Sequence, residues 1–120
     1  MRAKDVLGRF GEEVAARYLV EQGLRVVDRN WRCDAGELDI VAVDGTTLVV
    51  CEVKTRRTDR FGAPVEAVTA GKAARLRRLA ARWLAEHPDA HPTEVRIDIV
   101  GVLQPPHGAA QVDHRRGDLW

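Results

Sequence analysis

The sequence predicts an α/β domain whose mixed central sheet is flanked by helices, with elements in the order α-β-β-β-α-β. Three observations predict it. Apolar residues recur at helical spacing over Asp5–Glu21 and again over Thr69–His87. Asp44-Gly45 stands between two alternating apolar runs, the strongest short-range hairpin signal. A further alternating run, Val95 to Leu103, follows the second helical stretch. At 120 residues the chain can bury one core.

The first helix carries Val6, Phe10, Val14 and Tyr18 at helical spacing, and Gly23 is its C-terminal stop. Glu12 falls on a different side with Gly8, Ala15, Ala16 and Leu19, where small residues permit close approach to another backbone. Arg25 to Arg32 is the first strand and the least regular of the three that follow.

The stretch from Gly36 to Lys54 is the most informative. Alternate side chains of a strand share a face. Glu37, Asp39, Val41 and Val43 therefore share one face of the second strand, and Leu48, Val50, Glu52 and Lys54 one face of the third. Loop length decides whether those faces coincide. A two-residue loop at Asp44-Gly45 pairs Asp39 with Val50. A four-residue loop over Asp44 to Thr47 sets Asp39 opposite Glu52 and Glu37 opposite Lys54. A three-residue loop sends Asp39 and Glu52 to opposite faces. Directly opposed Cβ atoms lie about 5 Å apart, close enough to share a metal ion.

The plain alternative is a hairpin with one solvated face. Against it, the shared face is apolar at one end (Val41, Val43, Leu48, Val50) and charged at the other. The opposite face (Leu38, Ile40, Ala42, Val49, Cys51, Val53) is apolar throughout. Both faces are thus expected to be covered, with the charged end a cleft where the cover stops. Like charges directly opposed in a sheet need a cation or proton between them.

The second helix starts at Thr69, a good N-cap, and stops before Pro88. Leu76, Leu79, Ala80 and Trp83 form its buried stripe, and Arg75, Arg78 and Arg82 line another side. Lys72 shares an edge with the apolar stripe, from which it either snorkels to water or reaches a phosphate. The fourth strand alternates Val95, Ile97, Ile99 and Leu103 against Arg96, Asp98, Val100 and Val102, with Asp98 as the partner of an arginine. Residues 1–104 form the domain. The tail 105–120 is left between an added edge strand and irregular chain.

The net charge of +1 hides an asymmetry. From Lys54 to Arg82, nine Lys/Arg stand against Asp59 and Glu66, a net of +7, and the remainder carries −6. A basic block directly after an acidic cluster suits a polyanion. Cys33 and Cys51 have no metal-type spacing, and Pro88 and Pro92 break any helix that would bring His87 and His91 together. No apolar run is long enough to span a bilayer and no charged-then-apolar leader is present, so a cytoplasmic, non-membrane protein is expected.

Glu12 on a helix, Asp39 on a strand and Glu52-Val53-Lys54 on the next resemble the PD-(D/E)XK nuclease superfamily. More narrowly, the chain resembles the YraN-like family of small bacterial proteins, which is similar to archaeal Holliday junction resolvases. The resemblance runs from Gly8-Arg9-Phe10-Gly11-Glu12 to Arg96-Ile97-Asp98-Ile99-Val100. It takes in Asn30-Trp31-Arg32, Gly36-Glu37-Leu38-Asp39 and Phe61-Gly62-Ala63-Pro64, with Leu38 where the superfamily name expects proline. It implies a restriction-endonuclease-like fold over residues 1–104 and a metal-dependent DNA endonuclease of resolvase-like, structure-selective kind.

On that resemblance Asp39, Glu52 and the backbone carbonyl of Val53 would hold Mg²⁺ or Mn²⁺, a hard cation that prefers oxygen ligands. Lys54 would orient or deprotonate the attacking water, and Glu12 would serve a second metal or a water on the first. Arg56, Arg57, Lys72, Arg75, Arg78 and Arg82 would bind DNA phosphates without reading sequence. Selectivity would then be for DNA shape, branched or flapped, through a homodimer or DNA-processing partner proteins. Two other readings stand beside this one: a non-catalytic nucleic-acid-binding module that works with partners, and a scaffold whose charged patch is a salt-bridge network.

Overall fold

The computed structural model describes residues 3–58 and 70–117. The elements are α1 (Ala3–Glu21), β1 (Arg25–Cys33), β2 (Gly36–Asp44), β3 (Thr47–Arg56), α2 (Ala70–Glu86), β4 (Glu94–Leu103) and β5 (Gln111–Arg116). The sheet order is β1-β2-β3-β4-β5. All neighbours are antiparallel except β3 and β4, which run parallel across the α2 crossover. This is the expected α/β order with one strand added from the tail, and it is consistent with a nuclease-like fold. The Phe61–Pro64 block and the Thr69 cap lie outside the described residues.

Each face of the sheet has its own core. On one, Ala15, Ala16, Leu19 and Leu24 pack with Ile40, Ala42, Val49, Cys51, Val100 and Val102. On the other, Leu76, Leu79, Ala80 and Trp83 of α2 pack with Leu38, Val41, Leu48, Val50 and Ile97. Each fully buried aliphatic side chain contributes about 1.5–3 kcal/mol. Among helices of the described residues, none is long and apolar enough to cross a membrane.

Three expectations are corrected. Val6 and Phe10 are not the buried face of α1: they are 52% and 47% exposed, while Ala15 and Leu19 are fully buried. The reason is proximity. The helix lies so close to β3 that a Cβ on Gly11 would overlap Thr55 Oγ1 and come within 2.8 Å of Thr55 Cβ and Cγ2. The close approach therefore falls on Gly11, and Gly8 has open space around it. Leu38 joins the α2-side core rather than the α1-side core that takes Ile40 and Ala42. The face assignment changes at Asp39, where the β2–β3 ladder has already ended. The first strand is irregular as expected, with a register shift between Val26 and Asp28 and Asn30 at φ 53°.

Candidate active site

The β2–β3 ladder runs from Asp44–Thr47 at the turn to Ile40–Cys51. Gly45, at φ 61°, supplies the left-handed turn residue. This register is the one the four-residue-loop alternative gives, with the last pair at the turn also closed. One step past Ile40–Cys51 come Asp39 and Glu52, and there the ladder stops. Asp39 Oδ2 instead accepts the Val53 N–H at 2.9 Å. A side-chain carboxylate thus replaces the next backbone acceptor, and the two strands part. Glu37 consequently does not meet Lys54: it faces Arg32 on β1 and pairs with it at 3.0 Å.

The α2 helix closes the opening. A cavity of about 160 Å³ is lined by Glu37, Asp39 and Glu52 from the sheet and by Lys72, Arg75 and Leu79 from α2. Glu52 is 7% exposed, buried enough that an unpaired charge would be costly. Its Oε1 takes Lys72 Nζ at 2.8 Å and Lys54 Nζ at 3.5 Å. Burial pushes the Asp39 carboxyl up to about 7, and the charge of Glu52 pushes the same way, against the Val53 hydrogen bond. Burial and the neighbouring Lys72 ammonium hold Lys54 below the usual lysine range. For Lys72 burial works against the charge, yet the bonds to Glu52 and Lys54 and the charges of Glu52 and Asp39 leave it raised.

Glu12 comes from α1. It does not line the cavity, but its charge adds to the upward push on Asp39. With the Asn30 amide turned to satisfy both groups, its nitrogen donates to both Glu12 oxygens at 3.1 Å. Burial raises the Glu12 carboxyl, while Arg29 and Asn30 offset part of that rise. Asn30 thus orients a candidate site residue, a role that sequence reasoning did not give it. A non-glycine residue that tolerates positive φ inside a strand was the available signal.

The arginines divide. Arg75, Arg78 and Arg82 line one trough of about 580 Å³ along α2, beside Ala35 of the β1–β2 turn. Arg75 and Leu79 line both this trough and the carboxylate cavity, so the two share a wall. Arg82 is held by Asp34 at 2.9 Å and Arg75 donates to the Ala35 carbonyl at 3.4 Å. Arg56 and Arg57 are exposed at and beyond the end of β3. Asp98 has the arginine partner expected for it, Arg96, at 2.8 and 3.1 Å. Its further bond to His114 was not foreseen.

The family model described as "Uncharacterised protein family UPF0102" matches residues 11–102. The chain belongs to this family. A UPF0102 protein of Beutenbergia cavernae is 66% identical over 98% of the chain and 98% of its own length. One of Frankia alni is 63% identical over 98% of the chain and 97% of its length. One of Streptomyces coelicolor is 58% identical over 98% of the chain and 91% of its length.

Whether this UPF0102 site suits a metal can be tested on its donors. Among the described residues no three of His, Cys, Asp and Glu converge as a closed cage. Of the three carboxylates lining the small cavity, Glu37 is paired with Arg32, which leaves Asp39 and Glu52, the one or two carboxylates that Mg²⁺ usually takes while keeping several waters. An Asp39 carboxyl raised by burial, and further by the charge of Glu52, is what a divalent cation would relieve. The donors are hard oxygens, and they fit Mg²⁺ or Mn²⁺.

Proposed function

We propose that this UPF0102 protein is a metal-dependent endonuclease that hydrolyses phosphodiester bonds in DNA, selecting by DNA structure in the manner of resolvases. The observation that carries this reading is the meeting of Asp39 and Glu52 in one small cavity, with Lys72 on its wall and Lys54 on the same Glu52 oxygen. A trough lined by Arg75, Arg78 and Arg82 lies beside that cavity and shares Arg75 and Leu79 with it.

Asp39 and Glu52, with the Val53 carbonyl, would hold Mg²⁺ or Mn²⁺, which supplies Lewis-acid charge against the negative charge that develops on the phosphate. The other steps fall to the chain itself. Lys54, half-buried and held below the usual lysine range, would orient the attacking water or help deprotonate it. Glu12, fixed by Asn30, adds negative charge that is felt at Asp39 and favours a cationic site. Arg75, Arg78 and Arg82 hold backbone phosphates along α2, and Arg56 and Arg57 extend the positive surface past β3. Contacts of this kind give salt-dependent affinity that tolerates sequence.

The test is cleavage of labelled duplex, single-stranded, flapped and four-way-junction DNA with Mg²⁺ or Mn²⁺. Metal-dependent cutting that EDTA and Glu52→Ala both abolish is the expected result. A second reading, a nucleic-acid-binding module acting with DNA-processing partners, draws on the arginine trough alone. Binding at low salt without cutting would favour it.

A further inference from the structure

The pattern of an acidic residue, one spacer and a lysine points to Lys54 as the lysine of the site. The geometry brings another one closer. Lys72 lies on the wall of the carboxylate cavity beside Asp39 and Glu52, and Lys54 is not among the lining residues. Lys72 Nζ is 2.8 Å from Glu52 Oε1, a charge-assisted bond, whereas Lys54 Nζ stands at 3.5 Å from the same oxygen. It arrives from a different element, third in the α2 helix Ala70–Glu86.

Its local position is unfavourable on two counts. A cation in the first turn of a helix opposes the helix dipole. A half-buried ammonium beside Leu76 and Leu79 also gives up water. Residues that break local rules of this kind are expected where function requires them. The chain has only three lysines against sixteen arginines, so a lysine here departs from its own usage. An ammonium is a compact point charge with three donors, able to hold Glu52 and a phosphate oxygen together, where a planar guanidinium is bulkier.

We propose that Lys72 is a second catalytic lysine of this site, whose ammonium contacts the scissile phosphate while it anchors Glu52. The inference rests on the nuclease reading and changes the role of Lys72 within it. Lys72 acts on the reacting phosphate, and the arginines of α2 hold the flanking ones. Two lysines from two elements, β3 and α2, then bracket Glu52. The helix crossover becomes part of the catalytic apparatus as well as cover for the sheet.

The experiment uses the full chain, with Lys72→Met and Lys72→Gln compared with wild type on the best-cut DNA of the panel. Turnover at saturating DNA, DNA affinity and Mn²⁺ binding without DNA (by electron paramagnetic resonance) are measured, and melting curves select the variant that folds. Loss of one such donor is expected to lower turnover by about 10²–10³-fold, with DNA affinity unchanged and Mn²⁺ still bound. Unchanged turnover, a defect confined to DNA affinity, or loss of Mn²⁺ binding would each overturn the role of Lys72. Wild-type protein that cuts none of the substrates would overturn the nuclease reading, and this inference with it.

Discussion

Two buried acidic centres lie in this sheet, and they are built in opposite ways. Asp98 is fully buried and saturated with partners: two bonds from Arg96 and a third to His114 at 2.7 Å, which in turn meets the Tyr18 hydroxyl at 3.3 Å. Asp39 has one backbone bond and faces the charges of Glu52, Glu12 and Glu37. The first arrangement ties β4, β5 and α1 together. The second gathers carboxylates at an opening in the sheet, where Lys72 and Lys54 both go to Glu52 and Asp39 keeps its one backbone bond. A carboxylate that serves the fold is satisfied from all sides, whereas one that awaits a ligand is not.

The largest expected effect breaks the satisfied centre. Asp98→Ala leaves the buried His114 without its carboxylate and the half-buried Arg96 with only Asp44, and should cost about 3 kcal/mol or more in urea unfolding. The strained centre should respond in the opposite sense. The folded state keeps the Asp39 proton to about 7 against an ordinary 3.8, so it binds more protons than the unfolded chain between those values. Stability without divalent cations should therefore fall as pH rises through that window, by about 4 kcal/mol, and level off above it. Asp39→Asn should flatten that part of the curve and leave the protein more stable than wild type at pH 8.

Much of this contrast is legible in the sequence, and the rest is hidden for physical reasons. The period of two and the Asp44-Gly45 turn put Asp39 and Glu52 on one strand end, and they leave only the register open. The buried face of α1 misleads because Val6 and Phe10 are the larger apolar residues. Contact depends instead on how near the backbone can come, and that is settled by Gly11 against Thr55. His114 as a partner of Asp98 has no signal, since it comes from a tail with no apolar alternation. The ion pair of Lys72 with Glu52 joins a helix to a strand across a crossover, a contact that no local pattern encodes.

A smaller effect tests the approach of α1 that sets Glu12 beside the strained centre. Gly→Ala inside a helix ordinarily gains about 1 kcal/mol. Gly11→Ala should instead lose about 1–3 kcal/mol by overpacking against Thr55, read from the urea midpoint. The smallest effect on stability is expected at the trough. Arg82→Ala breaks an exposed pair with Asp34 and should leave the urea midpoint essentially unmoved. If Arg82 also holds a phosphate, the same change should reduce the salt slope of DNA binding by about 0.9.

If the Asp39–Glu52 pair is a cation site, a divalent ion must stabilise the folded protein through those two carboxylates. Thermal melting of wild type, Asp39→Asn and Glu52→Gln at pH 8, with and without Mn²⁺, measures it. Mn²⁺ is predicted to raise the melting temperature of wild type, by binding the folded state alone, and to leave both variants unmoved. A wild-type melting temperature indifferent to Mn²⁺, or an equal rise in all three proteins, would contradict the account.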